Sequence, residues 1–164
     1  MRLLASDDGG MAKLGLLRGE MVVDLARAAP DLVGLIRGGA GAMTATAEAA
    51  RRAKAAAMRP LSGRRFRLPI ETAGKIICLG LNYVDHAAEG GQAKPEYPRL
   101  FLRCNTSLVA HGEAIWRPKA SSKLDDEAEL VAVLGGRARH VKAADALPSS
   151  IAGYSCFNDG PLRD

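Results

Sequence analysis

The chain has 164 residues, 48% of them hydrophobic and 25% charged, which is ordinary for a globular protein and enough for one good-sized domain or two small ones. Its formal net charge of +5 is concentrated in the acid-free stretch Arg51, Arg52, Lys54, Arg59, Arg64, Arg65 and Arg67. With Phe66 as its one aromatic residue, that stretch suits a solvated helix face running into a basic linker better than a nucleic-acid platform. Cys78, Cys104 and Cys156 are widely spaced and form no CxxC pair for zinc or redox work, and the apolar runs around Cys78 and Cys156 suggest buried, reduced thiols. The opening MRLLASDDGG is no secretory signal, and no window approaches the roughly 18 apolar residues of a membrane span, so a cytoplasmic location is expected.

In chain order, MRLLAS, AKLGLLR and EMVVDL are apolar runs separated by Asp7-Asp8-Gly9-Gly10 and Arg18-Gly19-Glu20, the pattern of a small β-meander. Asp31 is placed to cap a short helix, DLVGLIRGG, ending at Gly38-Gly39. Residues 42–58 are rich in alanine with interspersed charges, which predicts a surface helix stopped by Pro60. Residues 59–74, broken by Pro60, Gly63, Pro69 and Gly74, read as a connector, with a boundary between residues 1–70 and 71–164. Beyond it, KIICLGL is a buried-strand run, NYVDHAAE a short helix with Asn82 as its cap, and RLFLR a further strand. Residues 105–123 are irregular, and EAELVAVLGG and IAGYSCF are strands.

Three places could carry chemistry. In a strand, Glu127 and Glu129 project from one face, where their like charges favour a nearby cation. Carboxylate oxygens are hard donors suited to Mg²⁺, Mn²⁺ or Ca²⁺; the alternative is an edge strand whose acids face water. On a helix, His86 and Glu89 lie three residues apart on one face. A carboxylate beside an imidazole suits a base that activates water, although a surface hydrogen bond would look the same. Asp159 follows an apolar strand in FNDGPLRD, where a plain turn residue is the alternative reading. His111 and His140 read as surface residues. GxSxG, P-loop and GxGxxG patterns are absent, which leaves serine-hydrolase, NTPase and dinucleotide readings unsupported.

The ordered series GLNYVDHAAE, LDDEAELVAVLG and AGYSCFNDGPLRD, with PRLFLR and AIWRP between, resembles the fumarylacetoacetate hydrolase family and its isomerase and decarboxylase members. The stretch KLGLLRGEMVVDL is similar to the small N-terminal domain of many bacterial members. The resemblance implies an α+β protein: a small N-terminal α/β domain followed by the first part of a mixed β-roll. It implies Glu127, Glu129 and Asp159 as ligands of Mg²⁺ or Mn²⁺, with Ca²⁺ a further candidate, and His86 with Glu89 as the water-activating dyad. The loop out to Pro98 would be a lid. The implied substrate is a small 2-oxo or dicarbonyl acid, cleaved, decarboxylated or isomerised through a stabilised enolate, and the implied assembly is a homodimer without nucleic acid or membrane.

Two departures qualify these expectations. Family members carry a small aliphatic residue, a hydroxyl residue and alanine after the aspartate, where this chain has Gly160, Pro161 and Leu162. Pro161 brings neither hydroxyl nor N–H. Family members also continue past this point with strands that complete the roll and with a substrate-holding lysine. The strands at 127–135 and 151–157 are therefore expected to show open edges and exposed apolar surface. An isolated chain of this length is expected to turn over little substrate, and a truncated, non-catalytic remnant that binds metal or a partner chain is the alternative.

Overall fold

The computed structural model describes residues 1–164 except Lys94 and the side chains of His86, Glu89, Leu147, Pro148 and Ser149. Strands β1 (Leu3–Asp8), β2 (Met11–Arg18) and β3 (Met21–Asp24) form the expected antiparallel meander. Its turns use Gly9, Gly10 and Gly19 at φ 63°, 88° and 59°, a region open to residues without a Cβ. Helix α1 (Leu32–Arg37) is capped by Asp31, whose carboxylate accepts the Gly34 N–H at 2.6 Å. Helix α2 (Gly39–Arg52) follows, and the Arg18 guanidinium donates to the Ala50 carbonyl in its last turn.

The region after α2 departs from the sequence reading. The helix ends at Arg52, not Met58; Ala55–Ala57 make a single 3₁₀ turn, and the chain becomes extended. Met58–Pro60 is strand β4 beside β3, and Phe66–Arg67 is strand β5 beside β1, giving the sheet order β4-β3-β2-β1-β5. The supposed connector thus supplies both edges of the first sheet. Proline accounts for part of this: it biases Arg59 toward extended backbone, and its missing N–H is harmless on an edge strand. Leu14, Val23, Leu25, Ala29, Leu35 and Ala50 form the core between this sheet and the two helices. Several of the basic side chains pair with acids: Arg52 with Glu48 and Arg67 with Glu71 locally, and Arg65 with Glu113 and Arg67 with Asp7 across the chain.

Residues 75–164 build two hairpin-like pairs. Strand β6 (Ile76–Gly80) pairs with β7 (Arg99–Arg103), and helix α3 (Val84–Glu89) lies between them in sequence. Because α3 begins at Val84, Tyr83 and not Asn82 occupies the cap position. Strand β8 (Glu127–Leu134) pairs antiparallel with β9 (Ile151–Asp159). Helix α4 (Ala143–Ser150), which the sequence reading had not assigned, leads into β9. Few helices and several antiparallel sheets agree with the expected mixed helix-and-strand class.

Both pairs leave apolar surface uncovered. Ile77, Leu79, Leu100 and Leu102 are exposed on β6–β7, and Leu130, Leu134 and Tyr154 on β8–β9. All three cysteines are free thiols; Cys156 is exposed and Cys78 only partly buried, where both were expected to be buried, and Cys104 is exposed as well. Cys156 pairs in register with exposed Leu130, so it stands on the open face. Among the described residues, no helix is long and apolar enough to cross a membrane.

Contacts from the first sheet reach this second part. The Phe66 and His111 rings meet edge to face at 5.0 Å, and Arg65 pairs with Glu113 at 2.8 Å. The Asn105 amide also exchanges two hydrogen bonds of 2.9 Å with the Ala73 backbone.

Candidate metal centre

Strand β8 alternates cleanly. Glu127, Glu129, Val131 and Val133 are partly buried, while Ala128, Leu130, Ala132 and Leu134 are exposed. The two glutamates therefore share the sheltered face, as their spacing predicted. Across the ladder Glu127 stands directly opposite Asp159, and Glu129 opposite Phe157. Directly opposed residues of an antiparallel pair project to the same side, with Cβ atoms roughly 5 Å apart. All three carboxylates thus rise from one face. Asp159 is buried and is the last residue of a strand, not a member of a free turn.

Two arginines engage these acids. Arg103 of β7 donates from Nη2 to Oδ1 of Asp159. Arg163 donates from Nη2 to Glu127 Oε1 at 2.7 Å and from Nε to Asp125 Oδ2 at 3.0 Å. Neither arginine figured in the sequence reading. Arg103 could have been noticed, because an arginine within the apolar run RLFLR needs a partner when it is drawn inward.

The segment after Asp159 remains tied to the segment just before Glu127. Leu162 bridges Leu124, the Asp125 N–H donates to the Pro161 carbonyl at 3.1 Å, and the Arg163 N–H donates to the Lys123 carbonyl at 3.0 Å. Pro161 contributes only its carbonyl, so the N–H that it lacks is not needed for these contacts. The Asn158 side chain accepts the Glu127 N–H at 3.1 Å, fixing the start of β8.

Helix α3 carries His86 and Glu89 in its helical backbone, three residues apart, while their side chains lie outside the described residues. The helix is linked to β8 by Tyr83, whose hydroxyl oxygen accepts the Leu130 N–H at 3.2 Å. Leu81, between β6 and α3, adopts φ 54°, a strained conformation for a residue with a Cβ. A cavity of about 360 Å³ opens beside it, lined in part by Leu79, Val84, Ala87, Tyr97 and Arg99.

The donor set fits a hard divalent cation in kind, since it offers carboxylate oxygens from one face of a two-stranded ladder. Convergence is incomplete: among the described residues, no three acidic, histidine or cysteine side chains gather closely enough to hold a metal ion. Asp159 and Glu127 are instead each engaged by an arginine.

Comparison with known proteins matches residues 75–164, more than half of the chain, to the fumarylacetoacetate (FAA) hydrolase C-terminal family model. A fumarylacetoacetate hydrolase domain-containing protein 2 homolog of Dictyostelium discoideum is 40% identical over 105 residues, covering 64% of this chain and 34% of its own. The human mitochondrial oxaloacetate tautomerase FAHD2A is 36% identical over 122 residues, covering 73% of this chain and 38% of its own. Maleylpyruvate hydrolase from Sphingobium sp. SYK-6, solved with manganese(II) and pyruvate, superposes with a TM-score of 0.81 at 22% identity, over 99% of this chain and 60% of that one. The chain therefore spans less than two thirds of the length of these relatives. The family match covers the β6–β9 region, including both glutamates, Asp159 and helix α3, and the chain belongs to the fumarylacetoacetate hydrolase family.

Proposed function

We propose that this chain carries the metal-binding and water-activating residues of an enzyme acting on a small 2-oxo or dicarbonyl acid. The observation that carries the reading is the register of β8 and β9, which sets Glu127 opposite Asp159 with Glu129 on the same face. These three would hold Mg²⁺ or Mn²⁺, with Ca²⁺ a third candidate. The bound cation would supply positive charge to chelate the oxo-acid end and stabilise the enolate of the substrate. The manganese and pyruvate of the Sphingobium enzyme, a divalent cation with a 2-oxo acid, support this pairing on a shared fold.

His86 and Glu89 would act on a water molecule. His86 takes its proton while Glu89 holds the imidazole in the required tautomer, and the resulting hydroxide adds to the substrate carbonyl. Collapse of that adduct breaks the adjacent C–C bond, and its electron pair leaves as the enolate, which is then protonated. Decarboxylation or isomerisation would use the same enolate without the attack of water. The link from Tyr83 to Leu130 supports the arrangement, since it fastens the helix that carries the dyad to the strand that carries the glutamates. The same reading includes a small N-terminal unit over residues 1–70, part of a β-roll over 71–164, a homodimer and a cytoplasmic setting.

A second reading, a non-catalytic family remnant that binds metal or a partner chain, is favoured by the uncovered apolar faces of both hairpin pairs. One experiment separates the two. The chain is assayed with Mg²⁺ or Mn²⁺ against acylpyruvates and oxaloacetate, alongside calorimetric titration with the metal. Turnover that disappears in Glu127→Gln supports the enzyme. Specific binding without turnover supports the remnant, and absence of both sinks the metal centre itself.

A further inference from the structure

A cavity of about 260 Å³ opens between the end of β2 and the last turns of α2, and none of its lining residues belongs to β6–β9. Leu16, Leu17 and Ala47 give it an apolar wall, and its lining includes three arginines, Arg2, Arg18 and Arg51, but no acid. The arginines come from separate parts of the chain. Arg2 precedes β1 and lies beside β2, because its carbonyl accepts the Leu17 N–H at 2.9 Å. Arg18 ends β2 and donates from Nη2 to the Ala50 carbonyl, which holds its guanidinium at the cavity. Arg51 stands in the last turn of α2. Among the described residues, none of the three is paired with an acid, whereas neighbouring Arg52 is paired with Glu48. A cation at the carboxyl end of a helix is favourable, which accounts for Arg18. It does not account for Arg2, which lies on the sheet side, or for three like charges around one cavity with no acid to balance them. Clefts lined by one sign of charge over apolar walls concentrate the field and draw in the opposite ion.

We propose that this cavity binds a small organic acid, with its carboxylate among the guanidinium groups of Arg2, Arg18 and Arg51 and its apolar tail against Leu16, Leu17 and Ala47. A guanidinium offers paired, planar donors that match a carboxylate. The tail displaces water from the leucines, which separates such an acid from an inorganic anion. The volume falls just below the range of about 300–1,000 Å³ usual for ligand pockets, so the occupant is a short-chain acid and not a long acyl chain. The site draws on the first sheet and α2 alone, and it stands whether or not the carboxylates of β8 and β9 hold a metal.

The test is titration of the full 164-residue chain with sodium hexanoate at low ionic strength, read from backbone amide shifts by NMR. Saturable shifts are expected over residues 16–18 and 47–51. Sodium acetate has the charge without the tail, and hexan-1-ol the tail without the charge; each is expected to bind at least about 10-fold more weakly. Arg2→Gln and Arg51→Gln alter exposed positions, and each is expected to weaken hexanoate about 10-fold, the loss of one hydrogen bond to a charged group. Arg52→Gln removes the same charge one residue farther along α2, outside the cavity, and is expected to leave binding unchanged. Far-UV circular dichroism checks that each variant folds. An equal loss in Arg52→Gln would reduce the effect to net charge and overturn the site. Acetate binding as tightly as hexanoate would overturn it too, because the apolar wall would then play no part. Shifts that do not saturate, or that centre on the exposed apolar faces of β6–β9, would overturn it outright.

Discussion

Glu127 and Asp159 face each other across the last rung of the β8–β9 ladder, one at the first residue of its strand and the other at the last. With Glu129 two residues farther along the same face, the three acids concentrate negative charge that a hard cation would relieve. Replacing both glutamates by glutamine keeps size and hydrogen bonding but removes two charges. The double variant Glu127→Gln/Glu129→Gln is therefore expected to keep its far-UV circular dichroism and to lose its saturable Mn²⁺ heat. Retained binding with unchanged stoichiometry would place the metal elsewhere.

Asp159 has a structural duty that its mutation should expose separately. Asp159→Ala leaves the Arg103 guanidinium without its carboxylate in a largely dry setting. Removing one partner of a buried ion pair costs about 3–5 kcal/mol, and the partial exposure of Arg103 points to the lower end of that range. Asp159→Asn still offers an oxygen acceptor and should cost less. Urea unfolding of both variants checks the order, and equal stabilities would mean that water screens the pair.

Pro161 is where the sequence departs from its family near the proposed ligands, and the structure assigns it a modest role. Its carbonyl, not a hydroxyl or N–H, meets Asp125. Pro161→Ala keeps that carbonyl and mainly loosens the unfolded chain, so a loss of about 0.4–1 kcal/mol is expected. Mn²⁺ affinity should not change. A large fall in affinity on this substitution would show that the proline itself shapes the site.

The sequence made the local pattern legible and left the long-range pairing hidden. Alternation in EAELVAVL was enough to place Glu127 and Glu129 on one face, and Asp31 announced the start of α1. Nothing local could reveal that Arg103 would cross to Asp159, fifty-six positions away, or that Arg163 would turn back to Glu127. The edge strands β4 and β5 were missed for a related reason. They are two or three residues long and hydrogen-bond to β3 and β1, so tertiary pairing holds them extended despite the turn-forming composition around them. The burial of cysteines was misjudged because an apolar run shows that a strand prefers cover, not that cover is present.

Arg65 and Glu113 connect the first sheet to the loop after residue 110, and this link should respond to acid. The Arg65 guanidinium, donating a hydrogen bond at 2.8 Å, holds the Glu113 carboxyl below its ordinary value of 4.5, helped by a backbone hydrogen bond from this loop. A carboxylate whose folded value is depressed contributes stability above its unfolded value, and loses that contribution as pH falls through the folded one. Wild type should therefore be more stable than Glu113→Gln at neutral pH, and the difference should shrink as the medium is acidified below about pH 4.5. The gap is expected to be small and to narrow with added salt, because the pair is exposed to solvent. Thermal unfolding of both proteins from pH 3 to pH 7, at low and high ionic strength, gives the comparison. A stability gap that persists unchanged at the acid end would show that Glu113 acts through packing beside His111 and not through its charge.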